Sequence, residues 1–501
     1  MQPTLIFGGR TWTADYLEAE TNRVAAGLHA LGFEQGDRVA VFLRNGPAYI
    51  VIAQACKRAG YLMVSINWHF KADETRHILA DSGARGLFIH ADLLAQVEGG
   101  LTDGLEVIAV PSDEISPPAL GTRWARLGHG QPPTPPRTPL SHSTLPYTSG
   151  TTGKPKGVQR LPVDPSVRPA MDAEMRLVLD IVFGISRDSV VLLCAPLYHS
   201  ATMVYGYYVS AVGATLVLEP GFKAENTLAL IARHRVTQAY MVPTMYQRML
   251  ALPAELRGAY DVSSLRQVTS TGSPCAPALK RAMIEWMGPI FTESYGSGET
   301  GYVTFIDSPT WLAHPGSVGQ ALGSSRVRIF GEDGKELPAG QEGLVYIRQP
   351  AMPDFTYRNQ PASRAAMERE GMITLGDVGY LDAEGYLYIC DRRSDMIISG
   401  GANIYPAEIE VALQGMPGVE DCAVFGVPDA EYGEAVAAAV QPRPGTSLEA
   451  DDVRQFLRAR LANFKMPRMI TFHEALPREE TGKIFKRKLR DPYWQNSDRR
   501  I

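Results

Sequence analysis

The sequence predicts an α/β protein: a large N-terminal domain of two doubly wound α/β subdomains plus a small β-barrel, followed by a small α+β C-terminal domain. Three observations predict it. Short apolar runs alternate with helix-length amphipathic stretches from residue 13 to about residue 294, a pattern that requires parallel sheets with helices on both faces. The pattern changes to short β-rich pieces from about residue 316, and to a mixed segment from about residue 395. Finally, 501 residues exceed what one hydrophobic core organises.

Taken in order, apolar residues recur at helical spacing over 13–31 behind a Thr13 cap, and 37–43 (DRVAVFL) reads as a buried strand. Helix 47–59, strand 61–66, helix 72–82 and strand 86–89 continue the alternation. Residues 120–146 are rich in Pro, Gly and Arg, and prolines deny regular backbone hydrogen bonding, so this stretch reads as a surface spacer. Helix 170–183 and strand 189–194 follow, the strand ending in APLYHSA. Then come strand 215–218, helix 225–234, strand 236–241 and helix 243–251. Strand 265–270 leads into TGSPCAP, and helix 277–286 into FTESYGSGETG. Ligands of doubly wound sheets collect beyond the carboxyl ends of strands, so TSGTTGKPKG, APLYHSA, TGSPCAP and YGSGETG are expected to converge. Residues 316–350 read as a small barrel or sheet, and 382–385 as a hairpin turn. Beyond lie helix 406–413, strands 422–427 and 434–441, and helix 449–461. The boundary falls at 392–395, dividing the chain into 1–393 and 394–501.

Composition narrows the functions. Hydrophobic content of 45% and charged content of 21% are ordinary for globular protein, and a net charge of -5 argues against a general nucleic-acid or polybasic membrane surface. The five cysteines are scattered and never spaced CxxC, so neither a disulfide framework nor a zinc site is indicated. No signal peptide and no apolar run of about 18 residues is seen, and the expected location is cytoplasmic.

Residues 147–158 (YTSGTTGKPKGV) concentrate the chemistry. Thr148, Ser149, Thr151 and Thr152 supply hydroxyls, Gly150, Gly153 and Gly157 let the backbone bend with its N–H groups exposed, and Lys154 and Lys156 add charge. Such a loop wraps polyphosphate, although it is neither a Walker A loop nor a GxGxxG turn.

This loop is followed in order by YGSGET (295–300), GDVGYLDAEGYLYICDR (376–392), SGGANIYPAEIE (399–410) and TGKIFKRKLR (481–490). Together these motifs resemble the adenylate-forming superfamily, and among its members the bacterial acyl-CoA synthetases and AMP-dependent fatty-acyl-CoA ligases. The resemblance covers nearly the whole chain. It implies a two-step reaction: a carboxylate attacks the α-phosphate of ATP to give an acyl-adenylate and pyrophosphate, and a thiol, usually that of CoA, then displaces AMP.

The resemblance also implies roles. Lys483 would stand between the α-phosphate and the attacking carboxylate, where a cation removes repulsion. Glu299, with Thr148, would hold Mg²⁺, whose hardness suits oxygen ligands. The loop residues Thr148–Gly153 and Lys156 would contact the outer phosphates. Asp377 would hold the ribose hydroxyls, Arg392 would donate to the ribose or phosphate, and Tyr295 would stack on adenine beside Gly296, Ser297 and Gly298, with an aromatic of the core as the alternative. Gly272, Ser273 and Pro274 would wall the adenine and the acyl pocket, and His199 would lie beside the carboxylate. Gly400 and Gly401 would line a pantetheine channel once the mobile C-terminal domain has turned about residues 392–395.

The acyl pocket is expected from loops 198–208, 241–248 and 269–275, with His199, Tyr205, Met241, Thr244, Met245 and Gly272 as its residues. Their apolar and aromatic character suits a hydrophobic acid, fatty, aryl or terpenoid. Helical core is the competing reading for several of them.

Gly298 departs from the family, which usually has Thr or Ser there to give a hydroxyl to the α-phosphate. The loss either weakens adenylation or is covered by Thr300 or water. Alternatives to the CoA ligase are a stand-alone enzyme loading a carrier protein, or a paralogue impaired in adenylation. A homodimer is compatible with the sequence.

Overall fold

The computed structural model describes residues 4–114, 122–132, 143–148, 155–400, 402–478 and 484–494. The first apolar runs form a four-stranded parallel sheet in the order Leu62–Ser65, Arg38–Phe42, Gly86–His90, Glu106–Val110. These strands read as continuous Val, Ile, Leu and Phe because both faces are covered. Phe42, Leu87 and Ile89 serve the core of one face, and Val39, Val41 and Phe88 that of the other. Helices Ala14–Ala30, Pro47–Ala59 and Ala72–Ser82 lie where their spacing places them, and Thr13 Oγ1 caps the first by accepting from the Tyr16 N–H.

The second sheet has seven strands. Phe291–Ser294, Gln267–Thr271, Gln238–Tyr240, Val190–Leu193 and Thr215–Leu218 run parallel. Its far edge is a hairpin, Leu5–Phe7 with Arg10–Trp12, that the sequence reading did not find. Leu5–Phe7 pairs in parallel with Thr215–Leu218. One continuous core joins both α/β layers, running from Leu5 through Tyr49, Phe183 and Tyr205 to Trp311.

Two expectations are corrected. Residues 198–208 are not a loop, since Ser200–Val212 is a helix. It is apolar on nearly every face, so it lacks the polar stripe that marks a surface helix. The 120–146 stretch is not simply a surface spacer either. Trp124, in the turn of helix Arg123–Arg126, and Leu127 and Leu145 are buried; 121, 133–142 and the residues around 120 lie outside the described residues.

The β-rich part consists of antiparallel strands Arg326–Phe330, Gly343–Arg348, Met372–Leu381 and Leu387–Arg392, joined by a three-stranded sheet that contains Lys156–Arg160 and Phe355–Tyr357. The two sheets enclose one core of Val158, Ile329, Val345, Ile347, Phe355 and Ile373, the barrel-like unit expected. Beyond it, residues 397–494 build a separate core on a sheet led by the long pair Val419–Asp429 and Gly433–Pro442. Helices Pro406–Gln414 and Ala450–Arg458 cover one face of that sheet, and Lys486–Trp494 covers the other.

The two parts touch through specific polar contacts. Asp391 Oδ2 accepts from the Ala407 N–H at the start of helix Pro406–Gln414 (2.8 Å), and Gln247 donates to the Glu420 carbonyl. Lys486 pairs with Glu410 at 2.8 Å. Burial pulls the Lys486 pKa down, yet the carboxylates of Glu410, Asp391 and Asp395 together hold it above the ordinary lysine range.

The cysteines are free thiols. Among the described residues no helix is long and apolar enough to cross a membrane.

Candidate active site

The carboxyl ends of the second sheet's strands open into one cavity. Tyr198, His199 and Ser200 reach it after Val190–Leu193, Gly272–Cys275 after Gln267–Thr271, and Tyr295–Glu299 after Phe291–Ser294. The base of the 147–158 loop joins them, as the sequence predicts. Tyr147–Thr148 pairs with Lys156–Arg160, setting Thr148 opposite Lys156. Ser149, Gly150, Thr151, Thr152, Gly153 and Lys154 lie outside the described residues.

Glu299 is a buried carboxylate of this cavity, 7% exposed. It rides on a tight turn between Gly296–Ser297 and Gly301–Tyr302, in which Ser297 Oγ accepts from the Glu299 and Thr300 amides. Glu299 Oε1 accepts hydrogen bonds from Thr148 Oγ1 (3.1 Å) and Tyr357 OH (3.0 Å). Burial and this carboxylate push the Tyr357 phenol pKa up, so it stays a donor. Oε2 has no hydrogen-bond partner among the described residues. A divalent cation would therefore find a hard oxygen here and a hydroxyl beside it. Among the described residues no group of three or more His, Cys, Asp or Glu could hold a metal, so its remaining ligands would come from phosphate and water.

Beneath the turn lies Arg160, which no motif in the sequence singles out. It is 5% exposed and donates to the carbonyls of Gly298, Glu299 and Pro353. Burial lowers its pKa to about 10, opposed by Glu299, so it remains a cation at neutral pH.

Asp377 and Arg392 face each other across Met372–Leu381 and Leu387–Arg392, and Arg392 Nε lies 3.3 Å from Asp377 Oδ1. Tyr295 donates its hydroxyl to Asp377 Oδ2 at 2.5 Å, while its ring both lines the cavity and packs on the barrel core. Both readings of that tyrosine thus have a physical basis.

The turn tolerates no side chain at Gly296. A Cβ there would stand 1.9 Å from the Gly301 carbonyl oxygen, which is backbone and cannot swing away. Gly296→Ala is expected to cost about 1–3 kcal/mol through overpacking and to lose ATP binding with the displaced turn. Urea unfolding and ATP titration check this, and an unchanged midpoint would contradict it.

The acyl side is partly corrected. Thr244 and Gly272 line the cavity, but Tyr205, Met241 and Met245 do not, at 0%, 2% and 3% exposure. On helix Ser200–Val212 the cavity is lined by the whole first turn, Ser200–Val204, and by Tyr207 one turn further on. Tyr205 points the other way, edge-on to Phe183 and Tyr240. On helix Pro243–Leu250, Thr244, Gln247 and Arg248 face the cavity and Met245 the core. Strand alternation likewise exposes Tyr240 and Val242 to the cavity while Met241 turns inward.

Two expected residues, Lys483 and Gly401, lie outside the described residues. Arg478 and Ile484, which bridge each other on either side of 479–483, line the cavity. Gly400 does not; it sits at φ +58° against Tyr432.

Family models match the chain twice: an AMP-binding enzyme model over residues 2–353, and the AMP-binding enzyme C-terminal domain over 408–483. The chain is 35% identical to a feruloyl-CoA synthase of Amycolatopsis sp, covering 96% of this chain and 94% of that one. It is also 35% identical to the fatty acid--[acyl-carrier-protein] ligase ScoC of Streptomyces coeruleorubidus, covering 100% and 95%. Among solved structures, ATP-bound MatB from Rhodopseudomonas palustris superposes with a TM-score of 0.84 at 29% identity, covering 99% and 96%.

Proposed function

We propose, for a chain that belongs to the AMP-binding enzymes and is an ATP-dependent, AMP-forming acyl-CoA ligase, that its acid is hydrophobic, its acceptor is CoA and its cation is Mg²⁺. The observation that carries this reading is a single cavity in which a half-satisfied buried carboxylate, Glu299, an Asp377–Arg392 pair and an apolar helix face meet.

The chemistry follows from that cavity. A carboxylate oxygen of the acid attacks the α-phosphorus, and the bond to pyrophosphate breaks with its electron pair on the leaving group. The CoA sulfur then attacks the acyl carbon, AMP leaves with the C–O electron pair, and the thiol proton passes to solvent. Asp377 accepts from the ribose hydroxyls, with Arg392 beside it, and Tyr295, tethered through its hydroxyl, offers its face to adenine. Gly272, Ser273 and Pro274 wall the acyl side, and His199 orients the carboxylate. Thr148 and Glu299 hold Mg²⁺, which when bound offsets phosphate charge. Lys156 and the 149–154 hydroxyls and amides hold the outer phosphates.

Lys483 supplies the cation between acid and α-phosphate. Residues 394–501 act as a unit that turns about 392–395, so that Gly400 and Gly401 replace Lys483 for thioester formation. The placement of Arg478 and Ile484 on the cavity wall, and of Gly400 away from it, supports an adenylate-forming arrangement here. Met203, Val204, Tyr207, Tyr240 and Val242 bind the acid's apolar body. The free cysteines favour the reducing cytoplasm as its place.

Pyrophosphate exchange across a panel of aryl and fatty acids, followed by offering CoA or a holo-carrier protein, tests the reading. Exchange with an apolar acid and a CoA thioester are expected. Acylation of the carrier alone, or turnover of a synthetic acyl-adenylate without any exchange, would overturn it.

A further inference from the structure

Gly298 leaves the Glu299 turn without a side chain aimed at the phosphates, and the neighbouring hydroxyls are already engaged. Thr300 Oγ1 accepts from the Ser297 N–H and donates to the Gly301 carbonyl, both at 3.1 Å. It therefore does not cover the gap, as the sequence reading allowed. Ser297 Oγ holds the turn's own amides, and Thr148 Oγ1 donates to Glu299.

Two side chains face Gly298, the Thr148 methyl, 3.5 Å from a Cβ built there, and Ser200, the first residue of helix Ser200–Val212. A Cβ built on residue 298 would stand 3.2 Å from Ser200 Oγ and 3.7 Å from Ser200 Cβ. Ser200 lines the same cavity as Glu299, and its hydroxyl makes no hydrogen bond among the described residues. A side chain at 298 and the Ser200 hydroxyl thus compete for one space, and this chain fills it from the helix.

Resting on the adenylation reading above, we propose that Ser200 Oγ is a catalytic donor to the α-phosphate of the nucleotide, taking the place a hydroxyl at residue 298 would have. A nucleotide with its ribose at Asp377 and its outer phosphates at Glu299, Thr148 and Lys156 presents its α-phosphate to the 296–299 turn, which Ser200 faces. A neutral hydroxyl at the positive end of a helix suits an oxygen whose negative charge persists through the displacement. Gly298 is then the complement of Ser200, and adenylation is not impaired by it.

The test uses the full chain, with AMP and adenosine as probes. In calorimetry, Ser200→Ala is expected to weaken AMP by about tenfold or more, the loss of a hydrogen bond to a charged group, and to leave adenosine within about twofold. Pyrophosphate exchange falls by about tenfold to a hundredfold, whereas thioester formation from a synthetic acyl-adenylate falls far less. Adding Gly298→Ser to that variant returns a hydroxyl to the vacated space and restores AMP binding. Equal loss of AMP and adenosine, AMP affinity within about twofold of the parent, or no rescue by Gly298→Ser would each overturn the proposal. A parent chain that binds AMP through Ser200 yet exchanges pyrophosphate with no acid would instead refute the adenylation reading and overturn the catalytic role, leaving Ser200 as a phosphate-binding residue alone.

Discussion

Arg160→Met is expected to lower stability by about 3–5 kcal/mol, in the range for removing one member of a buried polar network, and to abolish ATP binding with it. Methionine matches the aliphatic reach of arginine but has no donor, so the carbonyls of Gly298, Glu299 and Pro353 are left buried without partners. The charge matters as well, because burial works against the guanidinium and Glu299 above it works in its favour. Arg160→Lys keeps the charge but lacks the planar fork, and an intermediate loss is expected. Urea midpoints and ATP titration measure both. A Met variant within about 1 kcal/mol of the parent would show that the carbonyls find other partners.

The other large effect concerns the far end of the chain. Lys483→Ala should slow acyl-adenylate formation by about a hundredfold to a thousandfold, the scale of removing one group that stabilises transition-state charge. Thioester formation from a synthetic acyl-adenylate should survive, because in the proposed function that step falls to Gly400 and Gly401 instead. Single-turnover measurement of each half-reaction separates the two. Equal loss in both would assign Lys483 to binding or folding.

How far the sequence carries the reader depends on the element. Helices Pro47–Ala59 and Ala72–Ser82 match the reading to the residue, because a proline start, or a Glu74 that accepts from the Lys71 amide, and a glycine stop mark their ends. Helix Ser200–Val212 escapes it, since Tyr, Met and Val on all sides leave no period to read, and the same uniformity hid which of its tyrosines faces the cavity. The sequence offers Tyr205, Tyr207 and Tyr208 alike, and of the three Tyr207 lines the wall.

The site divides in the same way. Asp377 and Arg392 were placed by motif, and their pairing across adjacent strands gives the physical reason that the motif spaces them fifteen apart. Arg160 and Tyr357 carry no such signal. One is a lone cation in a β run, the other a tyrosine on a short strand, and only the fold brings both to Glu299. Ser200 is legible only through the space beside Gly298.

The hairpin Leu5–Phe7 and Arg10–Trp12 bears on how the chain assembles. Its parallel partner is Thr215–Leu218, so these residues leave the ribosome some two hundred positions before the strand they pair with. Until then the four-stranded sheet of residues 38–110 can close on neighbours, while the hairpin waits with an open edge. Such a distant pairing makes the catalytic sheet the slower to complete. The hairpin therefore finds its place only once a strand some two hundred residues further on is made, and it closes one edge of the layer that carries Glu299.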